Sequence, residues 1–311
     1  MQDKSKDIIA SLDDNYLIIK KIGKGGTSKV YLGYDKKDKD TLYAFKIIKS
    51  ENAKALEGEH LLLSQISDSR IIKSYSYSSN SIFIKKNKTT NVSYLRLEYI
   101  PYGELFDYVY YPRKGFGENL SRLIFHTLLL SIQSLHNQGI IHRDIKTENI
   151  MVDANNDIKL CDFGFASYNV GLFHSVLGTE GYASPEMRSK HPYYGISNDI
   201  FSLGTTLFVI ITGNMPFRLT TTNDPLYSLV ANNRYEEYYK KRGIKLSDSF
   251  KEMFNMMVAL NYEQRPTVEE ILNCKWVKEG DYSEENYKVL RKEIENRRKI
   301  IEAKKSSLQY K

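Results

Sequence analysis

Apolar and polar residues alternate along Tyr16–Ile22, Lys29–Tyr34 and Leu42–Ile48, a period of two that predicts β-strands. A glycine cluster separates the first two runs, and the charged stretch from Asp35 to Asp40 reads as the turn after the second. The period then lengthens. Ala53–Ile66 predicts a helix, and Tyr94–Tyr99 returns to strand. From Ser121 onward helical patterns dominate, as in Leu123–His136 and Asp199–Ile211, interrupted by a short strand pair around Asp157–Gly164. The order implies an α+β chain, with a small β-rich part followed by a larger, mainly helical one. No repeat or low-complexity tract breaks it. The longest apolar run, Leu203–Ile211, carries Gly204, Thr205 and Thr206 and falls well short of the roughly 18 residues a span needs, so no membrane span is expected.

Composition changes this picture in two places. The net charge of +7 suggests a polyanion-binding surface, but Lys288–Lys311 holds nine basic and three acidic residues, leaving the body nearly neutral. A basic tail on a neutral body argues against a nucleic-acid partner. In that tail Tyr287, Ile294, Ile301 and Leu308 recur every seventh residue, while Arg297 and Lys304 interrupt a second stripe. The pattern predicts a helix that docks on its own domain or in a partner groove such as calmodulin's. Secondly, there are only two cysteines, Cys161 and Cys274, in apolar contexts. They support neither a disulfide framework nor a cysteine metal site, and a reducing compartment, cytoplasm or nucleus, is expected. The first residues, MQDKSKDIIASLDD, lack the apolar core of a signal peptide.

Candidate chemistry begins at Gly23-Lys24-Gly25-Gly26-Thr27-Ser28-Lys29-Val30, where glycines after a strand would let backbone N–H groups approach phosphates. A dinucleotide fingerprint would place a third glycine at Ser28 and a helix next, and a Walker loop would end in Gly-Lys-Ser or Gly-Lys-Thr; neither is present. Lys46 ends the strand Tyr43-Ala44-Phe45, sixteen residues past Val30. His142-Arg143-Asp144-Ile145-Lys146-Thr147-Glu148-Asn149 and Asp162-Phe163-Gly164 then follow in order, with room for one β-hairpin between them. A carboxylate to orient a hydroxyl, a lysine beside the moving phosphate, and Asn and Asp to hold metal ions are what phosphoryl transfer requires.

Together these motifs resemble the eukaryotic protein kinase family from about Tyr16 to Val277. The resemblance implies the two-lobed kinase fold, with an extension over residues 1–15, an N-lobe over 16–100, a C-lobe over 101–277 and the basic tail over 278–311. It implies ATP and Mg2+ as cofactors and proteins as substrates. Gly23, Gly25 and Gly26 would cover the phosphates, and Lys46 would hold them while paired to Glu59, chosen over Glu57 because Leu63 and Ile66 share its helical face. Val30, Ala44 and Met151 would sandwich adenine beside Leu97, Glu98 and Ile100. Asp144 resembles the catalytic base, Lys146 the γ-phosphate lysine, and Asn149 and Asp162 the metal ligands.

Further on, Gly178-Thr179-Glu180-Gly181-Tyr182 and Ser184-Pro185-Glu186 resemble the substrate-binding loop and its closing motif, with Ser184 in place of the usual alanine. Asp199 would cap the catalytic loop and Arg265 would pair with Glu186. Lys146 and Thr179 resemble Ser/Thr rather than tyrosine kinases, and Cys274-Lys275-Trp276-Val277 resembles the calmodulin-dependent group. Glu104 and Glu148 match positions that favour arginine upstream of the acceptor, although Glu104 also suits the ATP ribose. Ser175 stands where related kinases carry an activating phosphate, with Arg143 as its receiver. The rival reading is a pseudokinase that binds or scaffolds; it usually lacks one of Lys46, Asp144, Asn149 and Asp162, and all four are here. His126, His136 and His174 have no metal-ligand spacing and are each expected on a helix surface or in a loop, and Asp153–Asp157 as a hairpin turn.

Overall fold

The computed structural model describes residues 8–309. The chain divides into two compact units between Pro101 and Tyr102.

The first unit is a closed six-stranded barrel with one helix. In chain order it contains β1 (Ala10–Leu12), β2 (Tyr16–Lys24), β3 (Lys29–Asp35), β4 (Asp38–Lys49), α1 (Ala53–Gln65), β5 (Ser74–Lys85) and β6 (Lys88–Glu98). The strands run β1-β2-β3-β4-β6-β5 around the barrel, and antiparallel β1–β5 pairing, Ser11 opposite Ile84 and Leu12 opposite Phe83, closes it. Alternation puts Leu12, Ile18, Phe45 and Tyr94 inside, with the Tyr16 and Phe45 rings tilted at 5.0 Å. Burying each such side chain contributes roughly 1.5–3 kcal/mol. The β5–β6 hairpin turns through Lys86 (φ 48°) and Asn87 (φ 62°), the left-handed pair that a tight two-residue hairpin demands.

Two sequence expectations change here. Residues 10–12, assigned to an extension, are the closing strand of the barrel, held further by the Ile82 N–H donating to the Asp13 carboxylate at 2.8 Å; residues 1–7 of that extension lie outside the described residues. The strand β5 was not foreseen, and the charged turn is shorter than expected, because Asp38–Asp40 already belongs to β4.

The second unit is mainly helical. It comprises α2 (Leu105–Tyr110), α3 (Gly117–Asn137), the strands β7 (Ile140–Ile141), β8 (Ile150–Val152), β9 (Ile158–Leu160), β10 (Ser167–Tyr168) and β11 (Leu172–Phe173), then α4 (Pro185–Arg188) and β12 (Tyr193–Tyr194). There follow α5 (Gly195–Thr212), α6 (Tyr227–Ala231), α7 (Tyr235–Arg242), α8 (Asp248–Met257), α9 (Val268–Asn273), α10 (Lys275–Lys278) and α11 (Glu284–Gln309). Helix α5 is the core. It is long and apolar enough to cross a membrane, yet 83% of it is buried inside the unit, and Gly213 (φ 79°) ends it with a left-handed cap. Asp153 makes the β8–β9 turn, its Oδ1 accepting the N–H groups of Asn155 and Asp157.

The tail forms the 26-residue helix α11, packed on α2 and α3 of its own unit. Its buried face takes Ile294 and Ile301 from the seven-residue stripe and adds Leu290 and Arg297; Tyr287 is half-buried, and the side chain of Leu308 lies outside the described residues. Arg297, read as interrupting the apolar pattern, is only 4% exposed. Its guanidinium donates to the carbonyls of Tyr108, Lys114 and Gly115 at 2.9, 2.6 and 2.9 Å and lies 3.8 Å from the Phe116 ring centroid. A planar donor fork matches three converging carbonyls that an apolar residue would leave unpaired.

Candidate active site

In the barrel unit, β2 and β3 carry the glycine turn between them. Gly23 pairs with Val30 across the ladder, and the Gly25 N–H donates to the Ser28 carbonyl at 2.9 Å. A Cβ at Gly25 would meet Ser28 Oγ at 2.8 Å, so a side chain there would make the serine hydroxyl turn aside. Lys46, opposite Val30 on β4, donates to both oxygens of Glu59, at 3.0 and 2.8 Å. Glu59 is buried because it shares the inward face of α1 with Leu56, Leu62 and Leu63; Glu57 is exposed. Ala44 lies opposite Leu97 across β4 and β6, Glu98 accepts from the Lys73 N–H at 3.2 Å, and Ile100 is buried.

In the helical unit, the segment between β7 and β8 carries Asp144. Its Oδ2 accepts from Lys146 Nζ at 2.7 Å and from Asn149 Nδ2 at 2.9 Å, and its Oδ1 accepts from the Thr179 hydroxyl at 3.0 Å. Lys146 Nζ also reaches Thr179 Oγ1 at 2.6 Å, so carboxylate, lysine and threonine form one closed network. Gly178 reaches this point at φ 75°, where a Cβ would come within 3.1 Å of the Arg143 carbonyl. Arg143 itself is left-handed (φ 64°), as is Asp162 (φ 58°), a conformation of roughly 1–3 kcal/mol cost that persists only where the surroundings enforce it.

The enforcement comes from α5 and α3. Asp199 accepts the backbone N–H groups of His142 and Arg143 at 2.8 and 2.7 Å, and His136 Nε2 at 3.1 Å. His136 therefore does not lie on the helix surface. It sits four residues after Ile132 on the buried face of α3, and that periodicity is the signal that could have placed it. The His142 ring is buried. Its Nδ1 accepts the Asp144 N–H at 3.3 Å and its Nε2 donates to the Cys161 carbonyl at 3.0 Å, which assigns the proton to Nε2. The hydroxyl of Thr206 donates to the Ile145 carbonyl at 3.2 Å. His126 is half-buried too, stacked 4.0 Å from the Tyr282 ring.

Asn149 is oriented by donating to both the carbonyl and the carboxylate of Asp144, which leaves its Oδ1 as the atom able to face a cation. The Cys161 N–H donates to the Asn149 carbonyl at 2.8 Å, tying the residue before Asp162 to Asn149. An amide oxygen and a carboxylate suit a hard divalent cation that takes its other ligands from phosphate and water. Among the described residues there is no cluster of three or more His, Cys, Asp or Glu that would hold a metal by itself.

Glu104 bridges Met151 in an isolated β-contact. Its side chain is exposed overall, yet crowding of the carboxyl raises its pKa, first by desolvation and then by repulsion from Asp107 and Glu148, with Lys305 and Lys146 opposing. Glu148 accepts the Thr147 hydroxyl at 3.1 Å. Arg143 donates to the Phe165 carbonyl at 2.6 Å and lies 3.5 Å from Ser175 Oγ. Arg265 grips both oxygens of Glu186, at 2.5 and 2.8 Å, and donates to the Ala259 and Ser197 carbonyls. Ser184 is buried with no hydrogen-bond partner for its hydroxyl among the described residues, although its N–H donates to Asn198.

Residues 16–277 match the protein kinase domain family. The chain belongs to that family. It is 32% identical over 265 residues to a probable serine/threonine-protein kinase MARK-A of Dictyostelium discoideum, covering 85% of this chain and 24% of that protein. It is 32% identical over 267 residues to a probable serine/threonine-protein kinase 2 of Plasmodium falciparum, covering 84% and 50%, and 30% identical over 277 residues to CBL-interacting protein kinase 9 of rice, Oryza sativa subsp. japonica, covering 86% and 57%. The chain thus spans from a quarter to just over half the length of these relatives.

Proposed function

We propose that this chain transfers the γ-phosphoryl group of Mg-ATP to serine and threonine hydroxyls of proteins and prefers basic residues upstream of the acceptor. One observation carries the reading: the Asp144 carboxylate is held by Lys146, Asn149 and Thr179 at once, so a base, a phosphate-binding cation and a metal-orienting amide occupy one network. Asp144 would accept the hydroxyl proton, and Lys146 would leave Thr179 or Asp144 to meet the γ-phosphate. Asn149 and Asp162 would hold Mg2+, which neutralises charge on the phosphates when bound. Lys46 and the turn at Gly23, Gly25 and Gly26 would hold the phosphates, with Val30, Ala44, Leu97, Glu98, Ile100 and Met151 around adenine. Glu104 and Glu148 would pair with the upstream arginine, Ser175 would be the phosphorylated residue of the activation segment, and the two free thiols suit the cytoplasm or nucleus. A regulator such as calmodulin would take the apolar face of α11, and to do so it must draw Arg297 out of its bed. The decisive test is phosphorylation of a serine peptide by wild type and Asp144→Asn. A fall of about 10²-fold or more with ATP affinity preserved is expected, whereas equal turnover would refute the role of Asp144. A peptide pair differing in Arg or Ala three residues before the serine, assayed with Glu104→Gln, tests the preference.

A further inference from the structure

The barrel unit has a concavity that shares with these roles only Gly26 of the glycine turn. It has a volume of about 850 Å³ and opens between the ends of β3, β4, β5 and β6. Its floor is apolar, built from the buried Tyr31, Ile47, Phe83 and Val92. Its rim is basic, with Lys29 on β3, Lys49 on β4, Lys85 on β5, Lys86 in the turn and Lys88 on β6, against the single acidic residue Glu51. Lys49 lies 3.8 Å from Glu51, and the Lys85 ammonium lies 5.8 Å from the Tyr31 ring centroid. Lys29, Lys86 and Lys88 form no ion pair among the described residues.

A solvated rim does not account for this arrangement. Lys85 and Lys88 face each other directly across the hairpin, a like-charge pairing that weakens a ladder. Lys86 adopts φ 48°, a conformation that favours glycine, asparagine or aspartate. The chain therefore accepts two local penalties to concentrate positive charge around an apolar floor, in a body that is otherwise nearly neutral.

We infer that the basic rim and apolar floor at this end of the barrel form a docking site for an acidic protein segment that presents an aromatic or large aliphatic side chain between carboxylates. The choice of occupant follows from the charges. A single phosphate is best held by arginine forks or converging backbone N–H groups, whereas here five lysines, each a compact charge on a flexible stem, stand on four strands and a turn. Such spacing fits several anionic groups distributed along a chain. The floor supplies the desolvated recess in which one anchor side chain gives most of the affinity, and the rim supplies attraction and register. The site adjoins the glycine turn at Gly26, but its proposed contacts are the lysine rim and the apolar floor, and its test reads binding.

The probe is a short fluorescein-labelled peptide with one Phe between two runs of Glu, followed by fluorescence anisotropy with the full chain. Saturable binding that weakens as salt rises is expected. Replacing the peptide's Phe by Ala, or using Lys86→Glu/Lys88→Glu protein, should each weaken it about tenfold or more, and a peptide with Lys in place of Glu should not bind. The double variant should phosphorylate a substrate peptide as wild type does and melt no lower, since both residues are exposed and Lys88→Glu removes the like-charge pairing with Lys85. No binding by wild type, or equal binding by the double variant, would overturn the proposal. It would also fall if inorganic phosphate displaced the peptide while the Phe→Ala change had no effect, which would leave a simple anion subsite. Lysine-dependent binding to phosphatidylserine vesicles without peptide binding would replace it with a lipid surface.

Discussion

On the proposed function, the two units prepare for the same chemistry in opposite ways. In the barrel, the glycine turn is closed by a backbone hydrogen bond from Gly25 to Ser28, and Lys46 donates to both oxygens of Glu59. In the helical unit, Asp144 has three side-chain partners, and the backbone beneath it is pinned by Asp199, itself bound by His136. A turn that must admit and release phosphates cannot be bonded from every side. A carboxylate that must meet a hydroxyl at the correct angle gains from every bond that fixes it in advance.

The sharpest test of this contrast sets Asp199→Asn against Glu59→Gln. The new amide can accept one backbone N–H at position 199 but turns an NH2 toward the other, so kcat should fall about 10²-fold with a loss of stability of roughly 2–3 kcal/mol. Glu59→Gln keeps an acceptor for Lys46 and should cost only about tenfold, mostly in KM for ATP. Equal effects on kcat would erase the distinction between the units. Next is Arg297→Ala, which strands three carbonyls and empties a stacked site. A loss of about 3 kcal/mol is expected, or roughly 6–12 °C in the melting of the helical unit. Unchanged melting would mean that α11 is a detachable strap rather than part of that unit.

A smaller effect concerns Glu104. Desolvation and the neighbouring carboxylates raise its pKa, so on acidification it is neutralised before an ordinary glutamate, whose pKa is about 4.3. The ratio of kcat/KM for the Arg and Ala peptides should therefore begin to fall above that range, and the fall should vanish in Glu104→Gln. The stability sign is the reverse. A raised carboxyl pKa favours the folded chain at low pH and loses that advantage as pH rises, so Glu104→Gln should melt slightly higher at neutral pH. The smallest change is Ser184→Ala, which removes an unpartnered buried hydroxyl at the position where the family usually carries alanine. It should stabilise by up to about 1 kcal/mol, read as a rise in melting temperature without change in kcat.

What could be read from the amino-acid order followed how locally each feature is encoded. Asp144, Lys146 and Asn149 share one short segment, and the spacing to Asp162 admits only a hairpin, so their kinship was legible without coordinates. Glu59 could be chosen over Glu57 because helical period is a local property. Arg297 could not be read correctly, because its partners are main-chain carbonyls about 180 residues earlier and hydropathy scores a buried, satisfied guanidinium as a surface residue. His136 falls on the buried face of α3 by helical period, but its partner Asp199 lies 63 residues away and is not visible locally. Strand β5 escaped because Ser74–Asn80 is mostly serine and tyrosine with intermediate exposure, and β1 because three residues carry no period.

That short first strand has a practical bearing on how the protein is handled. The family match begins at Tyr16, after β1 has ended, so trimming the chain to its family boundary would delete Ala10–Leu12 and leave β2 and β5 as two open edges of an incomplete ring. Unpaired edges recruit other strands. A chain starting at residue 16 should then show its defect first as self-association, with chains lending one another the missing strand, and only afterwards as lost kinase activity.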